Sequence, residues 1–192
     1  IVVCIYSGTE FNRFVLVSVA GSNGKSTYID LLMAILGDTN SSTLSLTALT
    51  DRFKNVRIMG KLANLGAEIA GTSLGLNECS LIKSLVFGDE ITAEEKHKAA
   101  FQFRPYAMHI YSCNELPNFK DSSYGFHRRL LAVPFNVQFT QEEGNIDLYM
   151  SEKLKQENEI EVAIFSGLTL FQKVLNTKTY TETSEMKALK HE

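Results

Sequence analysis

Cysteine is scarce in this chain. Its 192 residues include three, Cys4, Cys79 and Cys113, widely spaced and odd in number. That count excludes a disulfide framework and fits buried or free thiols in a reducing compartment. Excess positive charge is lacking as well. The 19 Lys and Arg stand against 22 Asp and Glu, for a formal net charge of -3. A broad cationic face for nucleic acid is thereby excluded, so any such contact must come from a local feature. No apolar stretch reaches the length of a membrane span, and the apolar opening from Ile1 to Tyr6 has no basic region before it. The expected location is therefore the cytoplasm of a bacterium or host cell, without membrane contact. The chain begins without Met, as a domain cut from a longer protein would. The histidines at 97, 109, 127 and 191 show no metal-ligand spacing and pair with no cysteine. There is no Ser/His/Asp or Cys/His arrangement, no internal repeat and no low-complexity tract.

What is present begins with Gly21-Ser22-Asn23-Gly24-Lys25-Ser26-Thr27. An apolar run, Phe14 to Val19, precedes it, and a helical pattern from Tyr28 to Leu36 follows and stops at Gly37. Strand, glycine loop with Gly-Lys-Ser, then helix is the context of a phosphate-binding P-loop. The glycines let backbone N–H groups turn toward phosphate oxygens, and the helix N-terminus adds partial positive charge. Lys25 is placed to reach the β- and γ-phosphates of ATP, and Ser26 to hold Mg²⁺. The first glycine of the usual pattern is missing, since Val19 stands there. Gly21 and Gly24 remain where the backbone passes the phosphates. The bland alternative is a chance Gly-Lys-Ser-Thr in a loop.

Along the chain, residues 38–42 read as a polar loop. Residues 57–69 read as a central strand ending in a loop at Glu68. Residues 77–86 have helical spacing, and Gly88-Asp89 reads as a turn. Residues 91–103, apolar at the ends and charged in the middle, read as a protruding hairpin. Residues 108–113 and 130–135 are short strands, and two helical patterns follow from Ile146, the second amphipathic. Residues 1–6 fit either a strand or the end of an upstream element. Strands alternating with helices around a glycine loop predict an α/β fold with a central, mostly parallel sheet. Its site lies at the carboxyl ends of the strands. The predicted division is a P-loop ATPase core over residues 1–139 and a small helical C-terminal segment, packed on the core, over residues 140–192.

An NTPase also needs an acid, a polar γ-phosphate sensor and a cation for developing charge. Glu68 at a strand end is placed to order Mg²⁺ or polarise water; alternatively it is a surface Glu opening a helix. The usual aspartate before it is absent, with Ala67 in its place. Asn114 after a strand reads as the sensor, or as the start of a turn before Pro117. Arg128-Arg129 is either a solvated strand start or an arginine finger, which acts on a neighbouring subunit and implies a ring. Lys96-His97-Lys98 is either an ordinary charged turn or a cationic tip gripping the phosphates of a single strand.

Taken in order, these strings resemble the phage and plasmid primase-helicases, and more broadly the superfamily 3 helicases of small viruses. The strings are Asn23-Gly24-Lys25-Ser26-Thr27, then Gly60-Lys61-Leu62-Ala63-Asn64 leading to Glu68, then Lys83 with Gly88-Asp89-Glu90. They continue with Phe103-Arg104-Pro105, Asn114-Glu115-Leu116-Pro117, Asp121 and Gly125 to Leu130. The likeness is strong over residues 14–135 and weak beyond. It implies an AAA+-type ATPase in a hexameric ring, moving 3′ to 5′ on single-stranded DNA during replication of a mobile element. It assigns Lys25, Ser26, Glu68 and Asn114 to one nucleotide and Arg128 or Arg129 to the neighbour's. Lys83 falls where a second cation crosses the interface, and residues 96–98 match the channel hairpin. No acid cluster for primase chemistry is seen, although a primase domain on the same full-length chain suits the likeness. The departures at Val19 and Ala67 bear on catalytic strength more than on nucleotide binding. They also leave open a nucleotide-dependent DNA clamp or assembly module with weak ATPase and no unwinding. A metabolic P-loop kinase fits less well, because the chain spends its cations on a hairpin and an Arg-Arg pair.

Overall fold

The computed structural model describes residues 2–6, 8–18, 23–66, 68–69, 73–140 and 146–189. Among these residues nine strands run β1 (Phe14–Ser18), β2 (Ser41–Ser42), β3 (Ala63–Gly66), β4 (Ser73–Leu74), β5 (Ile91–Ala93), β6 (Phe101–Phe103), β7 (Met108–Cys113), β8 (Asn118–Phe119) and β9 (Leu130–Pro134). The seven α-helices among them are α1 (Lys25–Leu36), α2 (Leu46–Leu49), α3 (Leu76–Phe87), α4 (Tyr124–His127), α5 (Met150–Leu154), α6 (Glu157–Thr177) and α7 (Ser184–Ala188). Five strands form the central sheet in the order β2-β3-β7-β1-β9, and every pairing in it is parallel.

β1 is buried along its whole length, which is why it reads as a continuous apolar run and not as an alternation. Its side chains go alternately to the two faces. Phe14 and Leu16 join one core layer with Cys79, Ile82, Leu85 and Val86 of α3 and with Tyr111 and Cys113 of β7. Val15 and Val17 join the opposite layer with Leu32 and Leu36 of α1 and with Met108 and Ile110 of β7. Helices therefore cover both faces of a parallel sheet. On the α1 side, α5 is tied to α1 through Ser151 Oγ and Lys155 Nζ, both on Asp30. Phe171 of α6 packs with Phe11, Tyr6 and Val174 in a smaller aromatic cluster.

The segment 57–69 is not one strand. A 3-10 turn covers Asn55–Ile58, Gly60 sits at φ 72°, and the strand proper starts only at Ala63. A left-handed residue ends extended structure, so the apolar residues before Gly60 belong to a different element. Residues 38–42 are not all loop, because Ser41 and Ser42 form the short edge strand β2. The opening residues Val2–Ile5 are a 3-10 turn.

Candidate functional site

Parallel pairing brings the carboxyl ends of β1, β3 and β7 side by side. Ser18 is in register with Cys113, and Gly66 with Tyr111. The backbone N–H of Ile69 then donates to the Ser112 carbonyl at 2.9 Å, which holds the chain just beyond Glu68 against β7. Three expected residues therefore meet here. Lys25 Nζ, in the first turn of α1, donates to Asn114 Oδ1 at 3.0 Å and to the Cys113 carbonyl at 3.3 Å. Asn114 Nδ2 donates to Glu68 Oε1 at 2.6 Å. The Asn114 amide thus bridges a cation and a carboxylate, its oxygen toward the donor and its nitrogen toward the acceptor. Glu68 and Asn114 are exposed and Lys25 is half-buried, so the group opens to solvent. Beneath it, burial raises the Cys113 thiol, whose Sγ contacts the Val17 carbonyl.

The start of α1 is capped by a glycine, which brings no side chain over the first turn. Gly24 is its N-cap at φ 80°, and no side chain caps the first turn. The N–H groups of an uncapped helix start, with the dipole behind them, attract anions. Asn23 is buried and its Nδ2 donates to the Phe135 carbonyl at 3.1 Å, fastening the turn to the end of β9. Ser26 is exposed and Thr27 half-buried in the first turn. Gly21 and Ser22, together with the departures Val19 and Ala67, lie outside the described residues.

The paired arginines lie at the other end of the sheet. Leu130 opens β9 opposite Phe14, and Phe14 N–H donates to the Arg129 carbonyl at 2.8 Å. The Arg129 side chain is buried, its guanidinium 3.7 Å from the Phe87 ring centre and its Nη1 donating to the Gly125 carbonyl. Burial and the neighbouring Arg128 and Arg13 lower its pKa. Arg128 is exposed, 5.9 Å from the same ring. Both border a cavity of about 630 Å³ with Arg13, Glu10 and Tyr124. Lys83 of α3 is paired with Asp121 at 2.8 Å. That pair holds the Asp121 carboxyl well below the usual carboxylate range. Phe87, which engages the arginines, carried no chemical signature in the sequence, whereas Asp121 stood among the strings that carry the resemblance but without a role or a partner. Lys83 and Asp121 lie 38 residues apart and only the fold unites them.

The expected hairpin is present, with β5 and β6 antiparallel and Ile91 opposite Phe103. Residues 96–100 at its tip are all exposed. His97 sits at φ 65°, and Lys98 pairs with Glu95 across the turn. Arg52 pairs with Glu94 at 3.0 Å, just past the tip-side end of β5. The hairpin leaves the end of α3 and returns at the start of β7, so it projects from the end of the sheet away from Lys25. Among the described residues no group of three or more His, Cys, Asp or Glu is placed to hold a metal ion. No helix among them is long and apolar enough to cross a membrane.

The chain has relatives. Over 149 residues the chain is 27% identical to a protein of Acanthamoeba polyphaga mimivirus named "Putative helicase L207/L206". The match covers 71% of this chain and 15% of that protein. Among solved structures, an apo form of the NrS-1 C terminal region superposes with a TM-score of 0.60 at 18% identity, covering 79% of this chain and 34% of that one. The apo structure of NrS-1 residues 305–718 gives the same TM-score and identity and is covered to 36%. These likenesses show a shared mixed α/β fold with a central parallel sheet. This chain spans a small part of each relative's length. Residues 16–129, more than half the chain and including every residue from Lys25 to Arg129 discussed above, match one family throughout: the chain belongs to the family of unknown function DUF5906.

Proposed function

We propose that this chain is the ATP-hydrolysing motor of a DNA helicase, an AAA+-type P-loop ATPase of the superfamily 3 kind. The observation that carries the reading is the Lys25–Asn114–Glu68 connection at the carboxyl ends of three adjacent parallel strands. The helicase name of the mimivirus relative supports it. ATP would lie with its phosphates against the uncapped start of α1 and Lys25. Lys25 would then exchange the Asn114 oxygen for a phosphate oxygen. Asn114, released on that side and still bonded to Glu68, would sense the γ-phosphate. Glu68 would orient the attacking water and accept its proton.

The residues fit Mg²⁺. Ser26 and Glu68 supply one hydroxyl and one carboxylate, the hard-oxygen donors this ion takes beside substrate phosphates. When bound, the ion would neutralise charge on the β- and γ-oxygens.

The arginines bear on assembly. β1 spans five residues from Phe14 to Ser18, so its ends are roughly 13 Å apart at strand rise. Arg128 and Arg129 sit level with the amino end and Lys25 beyond the carboxyl end. An arginine finger here would therefore serve the nucleotide of another copy, and a closed ring, hexameric by the family resemblance, is the matching assembly. The exposed Lys96, His97 and Lys98 would meet single-stranded DNA in the channel. A local cationic tip reconciles that contact with a net charge of -3.

The test is strand separation of a forked DNA duplex by the wild-type protein and by Lys25→Ala. The wild type should unwind only with hydrolysable ATP, and Lys25→Ala should lose ATP binding or hydrolysis, and with it unwinding. ATP binding without strand separation would favour a DNA clamp or assembly module. Full ATPase in Lys25→Ala would contradict the nucleotide site itself.

A further inference from the structure

The two arginines before β9 are not equivalent, and the contacts around them separate their roles. Arg129 is buried, its guanidinium is stacked on Phe87 of α3, and it donates to the Gly125 carbonyl within its own loop. Arg128 is exposed; its backbone N–H donates to the Tyr124 carbonyl at 3.1 Å, while its guanidinium, 5.9 Å from the Phe87 ring centre, makes no hydrogen bond or ion pair among the described residues. One turn earlier on α3, Lys83 pairs with Asp121. The other oxygen of Asp121, Oδ1, accepts from the Ser123 N–H at 2.9 Å. Ser123 in turn caps α4 through Oγ, which accepts from the Phe126 N–H, and Arg128 is the residue that caps the other end of α4. The loop carrying Arg128 is thus held to α3 at two points, one on each side of α4. Buried Phe126 packs against Phe119 between them.

We propose a division of labour in which Arg128 is the cation offered to the neighbouring copy's nucleotide. In it, Arg129, Lys83 and Asp121 form a two-point clamp that positions Arg128. Lys83 is then a positioning residue acting through Asp121, and not itself a cation that crosses the interface. The inference rests on the motor reading above and assigns the residues of its trans-acting half.

A double-mutant cycle decides it. Four readouts are taken for the assembled protein on single-stranded DNA: kcat, KM for ATP, affinity for a fluorescent ATP analogue and melting temperature. Arg128→Ala should lower kcat at least 100-fold with analogue affinity and melting temperature unchanged. Arg129→Ala and Arg129→Lys should both lower the melting temperature, because lysine lacks the planar stacking group. Lys83→Ala and Asp121→Asn should each reduce kcat roughly tenfold at constant KM, as a misplaced catalytic group does. The double variant Lys83→Ala/Asp121→Asn, which keeps the acceptor for the Ser123 N–H, should be no slower than either single variant, because all three lose the same ion pair. A full kcat in Asp121→Asn, while Lys83→Ala is impaired, would make Lys83 a direct interface cation and overturn the clamp. Loss of hydrolysis in Arg129→Ala at unchanged melting temperature, with Arg128→Ala fully active, would overturn the division of roles. Full hydrolysis in both arginine variants would instead contradict the finger in the motor reading. The melting temperatures test the clamp without any activity, so an Arg129→Ala no less stable than wild type overturns it on that ground alone.

Discussion

At the scale of single residues, His109 is a buried imidazole without a partner among the described residues. It lies on β7 in register with Phe14 on one side and Asn64 on the other. It is buried, and neither ring nitrogen has a hydrogen-bond partner among the described residues. Burial disfavours the imidazolium and depresses its pKa from 6.5 to about 4. The unfolded chain therefore binds this proton at a higher pH than the folded one does. Folding stability should fall as pH drops through 6.5 and stop responding to this group below about 4. The full loss is about 3 kcal/mol at 1.36 kcal/mol per unit. Urea unfolding between pH 7 and pH 4 measures it, and His109→Phe should flatten the slope across that window. An unchanged slope in that variant would show that other groups carry the pH dependence. Nothing in the sequence marked His109, since a lone histidine in an apolar run looks alike buried or exposed. Lys25, Glu68 and Asn114 were legible because each follows a strand in the order that nucleotide chemistry requires. Their mutual contacts were not, because 46 residues separate Glu68 from Asn114 and 89 separate Lys25 from Asn114.

At the scale of elements, the meeting of β3 and β7 shows how tightly the site's floor is made. Gly66 ends β3 opposite Tyr111, and a Cβ at Gly66 would lie 2.0 Å from Tyr111 Cε1. Tyr111 has little room to yield. Asn64 Nδ2 donates to its hydroxyl at 2.9 Å, and that hydroxyl donates to the Leu44 carbonyl at 3.2 Å. The Asn64 amide also bonds the Leu44 N–H and carbonyl, extending strand-like pairing past β2. Gly66→Ala should cost roughly 1–3 kcal/mol of stability by overpacking. Chemical denaturation checks this, and a variant as stable as wild type would mean that β3 shifts freely. Such a shift would also move Glu68, two residues on. The strands at 14–18 and 108–113 and the helix at 76–87 followed from hydrophobic pattern, to within a residue or two at their ends. The 57–69 segment misled because its apolar residues belong to two elements split at Gly60. β2, a pair of serines, carries no pattern at all and is strand only because β3 supplies its hydrogen bonds.

At the scale of the whole molecule, the parallel sheet separates two charged ends. Lys25 and the start of α1 occupy the carboxyl end, and Arg128, Arg129 and the projecting hairpin occupy the amino end. In the proposed motor one copy cannot close both halves on a single nucleotide, so its activity should depend on assembly. The surface has room for contacts between copies. Val162, Phe165 and Leu168 are spaced three apart on α6, and all are more than half exposed. The most direct measurement is the ATPase rate per chain against protein concentration, with and without single-stranded DNA. The account predicts a rate that rises with concentration as copies associate, and rises further with DNA. A rate that is flat with concentration and indifferent to DNA would contradict a ring motor that completes its site between copies.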